Sequence, residues 1–277
     1  MADPRAPIAV IGGGAMARAI LDGARAAGVL GDRWIVAEPD DQRRDEFEHA
    51  IETGGGAIEW LMKAEASPGA GQVLLAVKPQ KLGEVADEIA SMLGSGPSRV
   101  VITILAGTPS GRVRTLLGGD VRVVRVMPNL PAKLGRGMTA ICLGEGAGEG
   151  DDARAQELFT GVGRVIEIPE SLMDAYTALA GSGPAYVFYL GEAMIHAAVE
   201  LGFTREEATL IVRETIGGAG EMLVTSPEHP ASLRAGVTSK GGTTEAACNV
   251  LDESGVMDAF VRAIHAARRR GAELGEA

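Results

Sequence analysis

Residues 7–17 read Pro-Ile-Ala-Val-Ile-Gly-Gly-Gly-Ala-Met-Ala, a short apolar run broken by three glycines. Residues 7–11 have the near-continuous apolar character of a strand covered on both faces. The glycines at 12–14 end it. Residues 15–27, rich in Ala with Met16, Ile20 and Leu21, predict a helix that starts at once. Gly12, Gly14 and Ala17 fall on the fixed positions of a G-x-G-x-x-G/A turn. Gly12 permits the tight bend, Gly14 lets backbone approach a pyrophosphate, and Ala17 lets helix pack closely on sheet. The helix N-terminus adds free N–H groups and a positive dipole end, both suited to an anion. The pattern alone is weak. Its place after a strand, at the head of a helix and of a β-α series, strengthens it. Gly13, Ala15 and Met16 complete the candidate cofactor turn.

The same apolar texture recurs downstream. Trp34 to Ala37, Gln72 to Val77, Arg99 to Leu105 and Val121 to Val126 predict four more strands, mostly separated by helical stretches. Met138 to Leu143 and Arg164 to Ile168, around a helix near 150–161, extend the sheet. Alternating β and α units predict an α/β fold, a Rossmann-type doubly wound parallel sheet. After residue 168 the texture changes. Leu172, Ala175, Leu179, Tyr186, Leu190, Met194 and Ala197 recur at helical spacing, and strand signal almost vanishes. The expected division is a dinucleotide-binding domain over 1–168 and an all-helical domain over 169–277, predicted to bind substrate and to dimerise. Helices near 175–200 are apolar on more than one face, more than so small a domain hides by itself. An interface with a second copy is therefore expected.

Bulk properties agree. The chain has 277 residues, 46% hydrophobic and 23% charged, with a net charge of 26 − 37 = −11. An acidic balance argues against a general nucleic-acid binder. No run of 18 apolar residues predicts a membrane span. Cys142 and Cys248 form no CxxC pair, the four histidines show no metal spacing, and the start lacks a signal-peptide pattern, so no metal and a cytoplasmic location are expected.

Five further features carry chemistry. Glu38 ends the second strand, where a carboxylate accepts bonds from a ribose 2′-OH and repels a 2′-phosphate. That favours NADH, although Arg43 and Arg44 follow closely and offer a 2′-phosphate a partner. Ala76-Val77-Lys78-Pro79-Gln80 turns at the carboxyl end of the third strand, where ligands of such sheets bind. Met127-Pro128-Asn129-Leu130-Pro131 fixes a loop at the same edge after the fifth strand. Ala180-Gly181-Ser182-Gly183-Pro184 breaks one helix and restarts another, with Pro184 suited to a first turn. Val237-Thr238-Ser239-Lys240-Gly241-Gly242-Thr243-Thr244-Glu245 concentrates hydroxyls and glycines before a helix, a good carboxylate cradle. A capping motif alone explains only one or two of those residues.

Taken together, these motifs resemble the pyrroline-5-carboxylate reductase family. The matching segments are GGGAMA (12–17), AVKPQ (76–80), MPNLPA (127–132), DAYTALAGSGPAY (174–186) and VTSKGGTTEAA (237–247), in the family's order. The resemblance implies an NAD(P)H-dependent hydride transfer to C5 of 1-pyrroline-5-carboxylate, a cyclic imino acid, giving L-proline. It implies that Gly12 to Ala17, Ala76, Val77, Lys78 and Pro79 hold the cofactor, with Ala106 near it. Ser239, Gly242, Thr243 and Thr244 would hold the substrate. Thr244 would bond the ring nitrogen, and Ser239 with the N–H groups at 243–244 would hold the carboxylate. Glu170 falls at a proline-contacting position of the family. A homodimer is implied, and rings of dimers such as a decamer. Lys240 replaces the family's usual proline, Ala15 an Asn or Gln, and Lys63 lies near a usual Asn. The other readings are a reductase of another small imine or β-hydroxy acid, or a non-catalytic nucleotide-binding protein. A β-hydroxy-acid enzyme needs a Lys on the long helix, and residues 171–200 contain none.

Overall fold

A computed structural model of the chain describes residues 8–29, 33–45, 57–61, 71–94, 98–118 and 120–276. Lys63 and His49 lie outside the described residues. The chain forms two compact units, Met1–Gly181 with Ala267–Ala277, and Ser182–Ala266. The division expected at 168/169 follows composition. By compactness the break falls at 181/182, because residues 169–181 and the last turns of the chain group with the sheet.

Among the described residues the first unit is built on an eight-stranded sheet. Its strands are β1 (Ile8–Ile11), β2 (Arg33–Ala37), β3 (Ala57–Leu61), β4 (Gln72–Leu75), β5 (Val100–Thr103), β6 (Arg122–Met127), β7 (Gly137–Leu143) and β8 (Gly163–Glu167). Their order is β3-β2-β1-β4-β5-β6-β7-β8. All neighbours run parallel except β6 and β7. Its helices include α1 (Ala15–Ala26), α2 (Leu82–Gly94), α3 (Ser110–Leu117), α4 (Ala153–Thr160) and the short α5 (Met173–Tyr176). The apolar runs predict seven of the strands. They miss β3, a five-residue edge strand whose apolar run is interrupted by Glu59. The central strands are apolar throughout because both faces are covered. Val10, Leu74, Ile102 and Val124 pack on one face with α1 and α4, and Ala9, Val73, Val101 and Val123 on the other with α2 and α3.

The second unit is helical. It holds α6 (Gly183–Glu200), α7 (Arg205–Thr225), α8 (Pro230–Gly236), α9 (Thr243–Glu253) and most of α10 (Val256–Glu276), whose final turns belong to the first unit. A reciprocal cap starts α7: Glu207 N–H donates to Thr204 Oγ1 (3.3 Å) and Thr204 N–H to the Glu207 carboxylate (2.9 Å). Helices α6 and α7 pack together, with Gly191 facing Ile216. In this unit only Ala208 and Val212 are buried. Among the described residues no helix is long and apolar enough to cross a membrane.

Candidate active site

The turn after β1 has the shape its glycines predict. Gly12 adopts φ +100°, and a Cβ there would lie 2.9 Å from the Ala76 carbonyl oxygen. Only glycine fits, because the backbone leaving β1 passes against the backbone leaving β4. Its N–H donates to the Ala37 carbonyl (2.9 Å) and Ala76 N–H to that of Ile11 (2.8 Å), so the ends of β1, β2 and β4 are tied together. Gly14 is the N-cap of α1, has no side chain to cap with, and faces open space. The first N–H groups of α1 therefore lack an intrahelical partner and point where an anion would lie. Ala17 is fully buried in the core beneath.

A cleft of about 570 Å³ opens over this turn. Gly12, Gly14, Ala15, Glu38, Ala76, Val77 and Lys78 line it, which brings together three separate sequence motifs. Lys81, Glu84, Val85 and Glu88, which the sequence reading did not single out, line it too. Their signal was the i, i+4 pair of Glu84 and Glu88 at the start of α2, just past the β4 edge. Lys81 Nζ is bonded to the Glu84 carboxylate at 2.8 and 2.9 Å. Met16 packs against the core, and Ala106 lies exposed on the loop after β5; neither lines this cleft. The cradle, the bare α1 N-terminus and the carboxylate at the β2 end suit a dinucleotide.

Glu38 is only 3% exposed. One carboxylate oxygen accepts from Gly13 N–H (2.8 Å), the other from Asp40 N–H (3.1 Å). Arg43 lies 3.6 Å from the first, and Arg44 Nη1 donates to the Glu38 carbonyl (2.8 Å). Glu38 thus shapes the glycine turn as well as facing the cleft.

Glu170 opens the short turn after β8, in the first unit. Ser110 donates to it through N–H (2.7 Å) and hydroxyl (2.5 Å), and buried Arg125 lies 3.2 Å away. Burial alone would raise its pKa. The two Ser110 bonds and Arg125 outweigh that and hold the carboxyl below its ordinary range. Both oxygens therefore engage the start of α3, whose own N-cap, Pro109, offers no side-chain acceptor. Arg125 also reaches Asp174 (3.3 Å). Beside it, burial and the Glu170 charge push the Cys142 thiol up to about 11, which leaves it unreactive.

The hydroxyl-rich segment lies in the second unit, at the start of α9. Gly242 is the N-cap, again without a side-chain cap, and its N–H donates to the Ser239 carbonyl (3.0 Å). A side chain at Gly242 would collide with Ser239 Oγ. Gly241, at φ +71°, donates to the Glu245 carboxylate (2.7 Å). The turn therefore sets the Ser239 hydroxyl beside a bare helix N-terminus headed by Thr243 and Thr244. Ser239, Lys240 and Thr243 are exposed and Thr244 half-buried. Hydroxyls, free N–H groups and a nearby ammonium form a donor set for a carboxylate.

Comparison with known proteins places this arrangement. A family described as pyrroline-5-carboxylate reductase dimerisation matches residues 170–274, and one described as NADP oxidoreductase coenzyme F420-dependent matches residues 7–107. A pyrroline-5-carboxylate reductase of Synechocystis is 39% identical, over 97% of this chain and 98% of the relative. The chain belongs to the pyrroline-5-carboxylate reductase family. The family's enzyme from Corynebacterium melassecola is 36% identical over 97% of this chain and 98% of the relative. The solved pyrroline-5-carboxylate reductase of Coxiella burnetii, 33% identical, superposes with a TM-score of 0.86 and covers 98% of each chain. That of Plasmodium falciparum, solved with NADP bound, is 26% identical with a TM-score of 0.83, again over 98% of each chain. The likeness thus runs through the cofactor cleft and the hydroxyl-rich turn alike.

Proposed function

We propose that the chain is an NAD(P)H-dependent pyrroline-5-carboxylate reductase, moving a hydride to C5 of 1-pyrroline-5-carboxylate and giving L-proline. The observation that carries this reading is family membership over nearly the whole chain, including both candidate binding regions. When bound, the reduced nicotinamide supplies the hydride. The chain's own residues bind and orient. Gly12 to Ala17 hold the pyrophosphate at the α1 N-terminus. Ala76 to Pro79 line the next strand end, and Ala106 the one after. Ser239 and the N–H groups of Thr243 and Thr244 hold the substrate carboxylate, with Gly242 leaving room for it. Thr244 bonds the ring nitrogen. A protonated imine is already electrophilic, so positioning is the main task, and effective molarity is worth roughly 7–11 kcal/mol. Glu170, whose two oxygens accept from Ser110 and Arg125, meets the substrate with its remaining acceptor capacity.

The Glu38 carboxylate in the cleft favours NADH over NADPH, with Arg43 as the counterweight. The helical unit pairs with that of a second copy, and dimers assemble further into a ring. The location is cytoplasmic. The test is turnover: purified protein with 1-pyrroline-5-carboxylate, following loss of NADH and NADPH absorbance separately. Rapid loss is expected with either, faster with NADH. No loss with either cofactor, while both still bind, would overturn the reading in favour of another imine.

A further inference from the structure

Met127-Pro128-Asn129 and Ala180-Gly181-Ser182-Gly183-Pro184 belong to neither the cleft lining nor the 237–245 turn, and the structure joins them. Residues Thr177–Gly181 form a π-helical turn between α5 and α6. Proline at 184 has no N–H, so the Ala180 carbonyl loses the donor that a continuous α-helix would give it. The N–H of Ala185 goes instead to Ser182 (3.0 Å). The missing donor comes from Asn129, whose Nδ2 donates to the Ala180 carbonyl at 3.0 Å. Its Oδ1 accepts from Met138 N–H at 2.9 Å. Asn129 is 9% exposed, so one amide fills two otherwise unmet backbone needs in a nearly dry place. Beside it Gly181 lies against Met127, whose Cε would sit 2.9 Å from a Cβ at 181. The loop after β6 and the π turn form one clasp.

We infer that Asn129 is a positioning residue for hydride transfer, acting through this clasp. The inference rests on the proposed reductase activity. The cleft runs over the carboxyl ends of β2, β1 and β4, and those of β5 and β6 come next in the sheet. The 127–129 loop therefore stands at the reaction side of the cofactor cleft. Asn129 locks that loop to the segment from which the chain passes into α6. Asn129 does not line the cleft, and its side chain bonds only to backbone, at Ala180 and Met138, so its effect is on geometry and not on affinity.

The test is Asn129→Asp, which keeps shape and the acceptor for Met138 but puts a carboxylate oxygen opposite the Ala180 carbonyl. Wild type is measured in parallel. Misplacement by an ångström costs up to about a hundredfold, so kcat is expected to fall by about tenfold to a hundredfold. KM for the imine and Kd for NADPH, by fluorescence titration, stay within about twofold, and the deuterium isotope effect on kcat rises. In the protein without cofactor, amide exchange over residues 177–185 speeds up. An unchanged kcat, or a loss carried by KM and Kd, overturns the inference. So does unchanged exchange. If the Asp variant fails to fold, Asn129→Ser is read by the same criteria, and insolubility of both marks a purely structural residue and overturns it too. A wild type without turnover sinks the reductase reading itself, and the inference with it.

Discussion

The two units solve the problem of burying apolar surface in opposite ways. In the first, helices on both faces of the sheet bury Ile20, Leu74 and Phe159 on one side and Leu75, Ile89 and Leu117 on the other almost completely. In the second, only Ala208 and Val212 are buried, while Phe188 is 58% and Tyr189 73% exposed. A sheet covered on both faces closes its own core. A few helices with apolar residues all round do not, and a large apolar face marks an interaction surface. The region of the family's dimerisation model, 170–274, contains that face. One unit is therefore finished by its own chain, and the other leaves an apolar face open within the region of the dimerisation model.

That contrast breaks first at Phe188. Phe188→Asp is expected to cause the largest effect, loss of self-association, seen by sedimentation velocity across a dilution series. Central interface side chains are worth about 2–4 kcal/mol, a thirtyfold to several hundredfold rise in the dissociation constant. Phe159→Ala, in the finished core, should cost about 3–5 kcal/mol of folding stability and lower Tm equally at all protein concentrations. A Phe188→Asp protein that stays associated would show that this face is not the one covered.

Thr244→Ala sharpens the contrast at the level of function. A hydrogen bond to a charged partner contributes about 1.5–3 kcal/mol, so kcat/KM should fall roughly tenfold to a hundredfold. NADPH affinity should not change, because Gly12 to Ala17 belong to the other unit. A loss of cofactor affinity in this variant would contradict the separate assignment of the two binding tasks.

What the sequence reveals follows the same divide between local and distant causes. Gly12, Gly14 and Ala17 are legible because a turn of fixed spacing needs them, and the +100° φ of Gly12 bears this out. The helices of the second unit are legible from periodicity, as is their surplus of apolar faces. The edge strand β3 is not, since its run is short and carries Glu59. The partners of Glu170 and Asn129 lie 60 and 51 residues away, and no local pattern encodes such a pairing. For the same reason the return of 267–277 to the first unit could not be read: periodicity marks a helix and an apolar face, not the neighbour that covers it.

Glu170 tests how self-contained the first unit is. Its pKa is lowered in the folded chain, so its contribution is present above the ordinary value of 4.5 and fades as pH falls through the lowered one. Glu170→Gln is expected to lower Tm by about 2–4 °C at neutral pH, the shift of roughly 1 kcal/mol in a chain of this size. The gap between wild type and variant should narrow below pH 4.5. A gap that persists unchanged into acid would mean that shape, not charge, matters at this site.

The smallest expected effect belongs to Arg43, on the rim of the same unit. Its guanidinium lies 3.6 Å from the Glu38 carboxylate and 3.7 Å from Asp40, and its side chain is half exposed. Solvent screens such a pair to about 0.2–1 kcal/mol, so removing it should leave the Glu38–Gly13 bond in place. The guanidinium would then matter chiefly toward a 2′-phosphate, which NADPH has and NADH lacks. Arg43→Ala is expected to lower kcat/KM with NADPH by about two- to fivefold and to leave that with NADH unchanged. An equal fall with both cofactors would place Arg43 with the groups that shape the glycine turn through Glu38. The rim would then be as tightly coupled to the cleft as the core is to itself, and cofactor choice would rest on Glu38 alone.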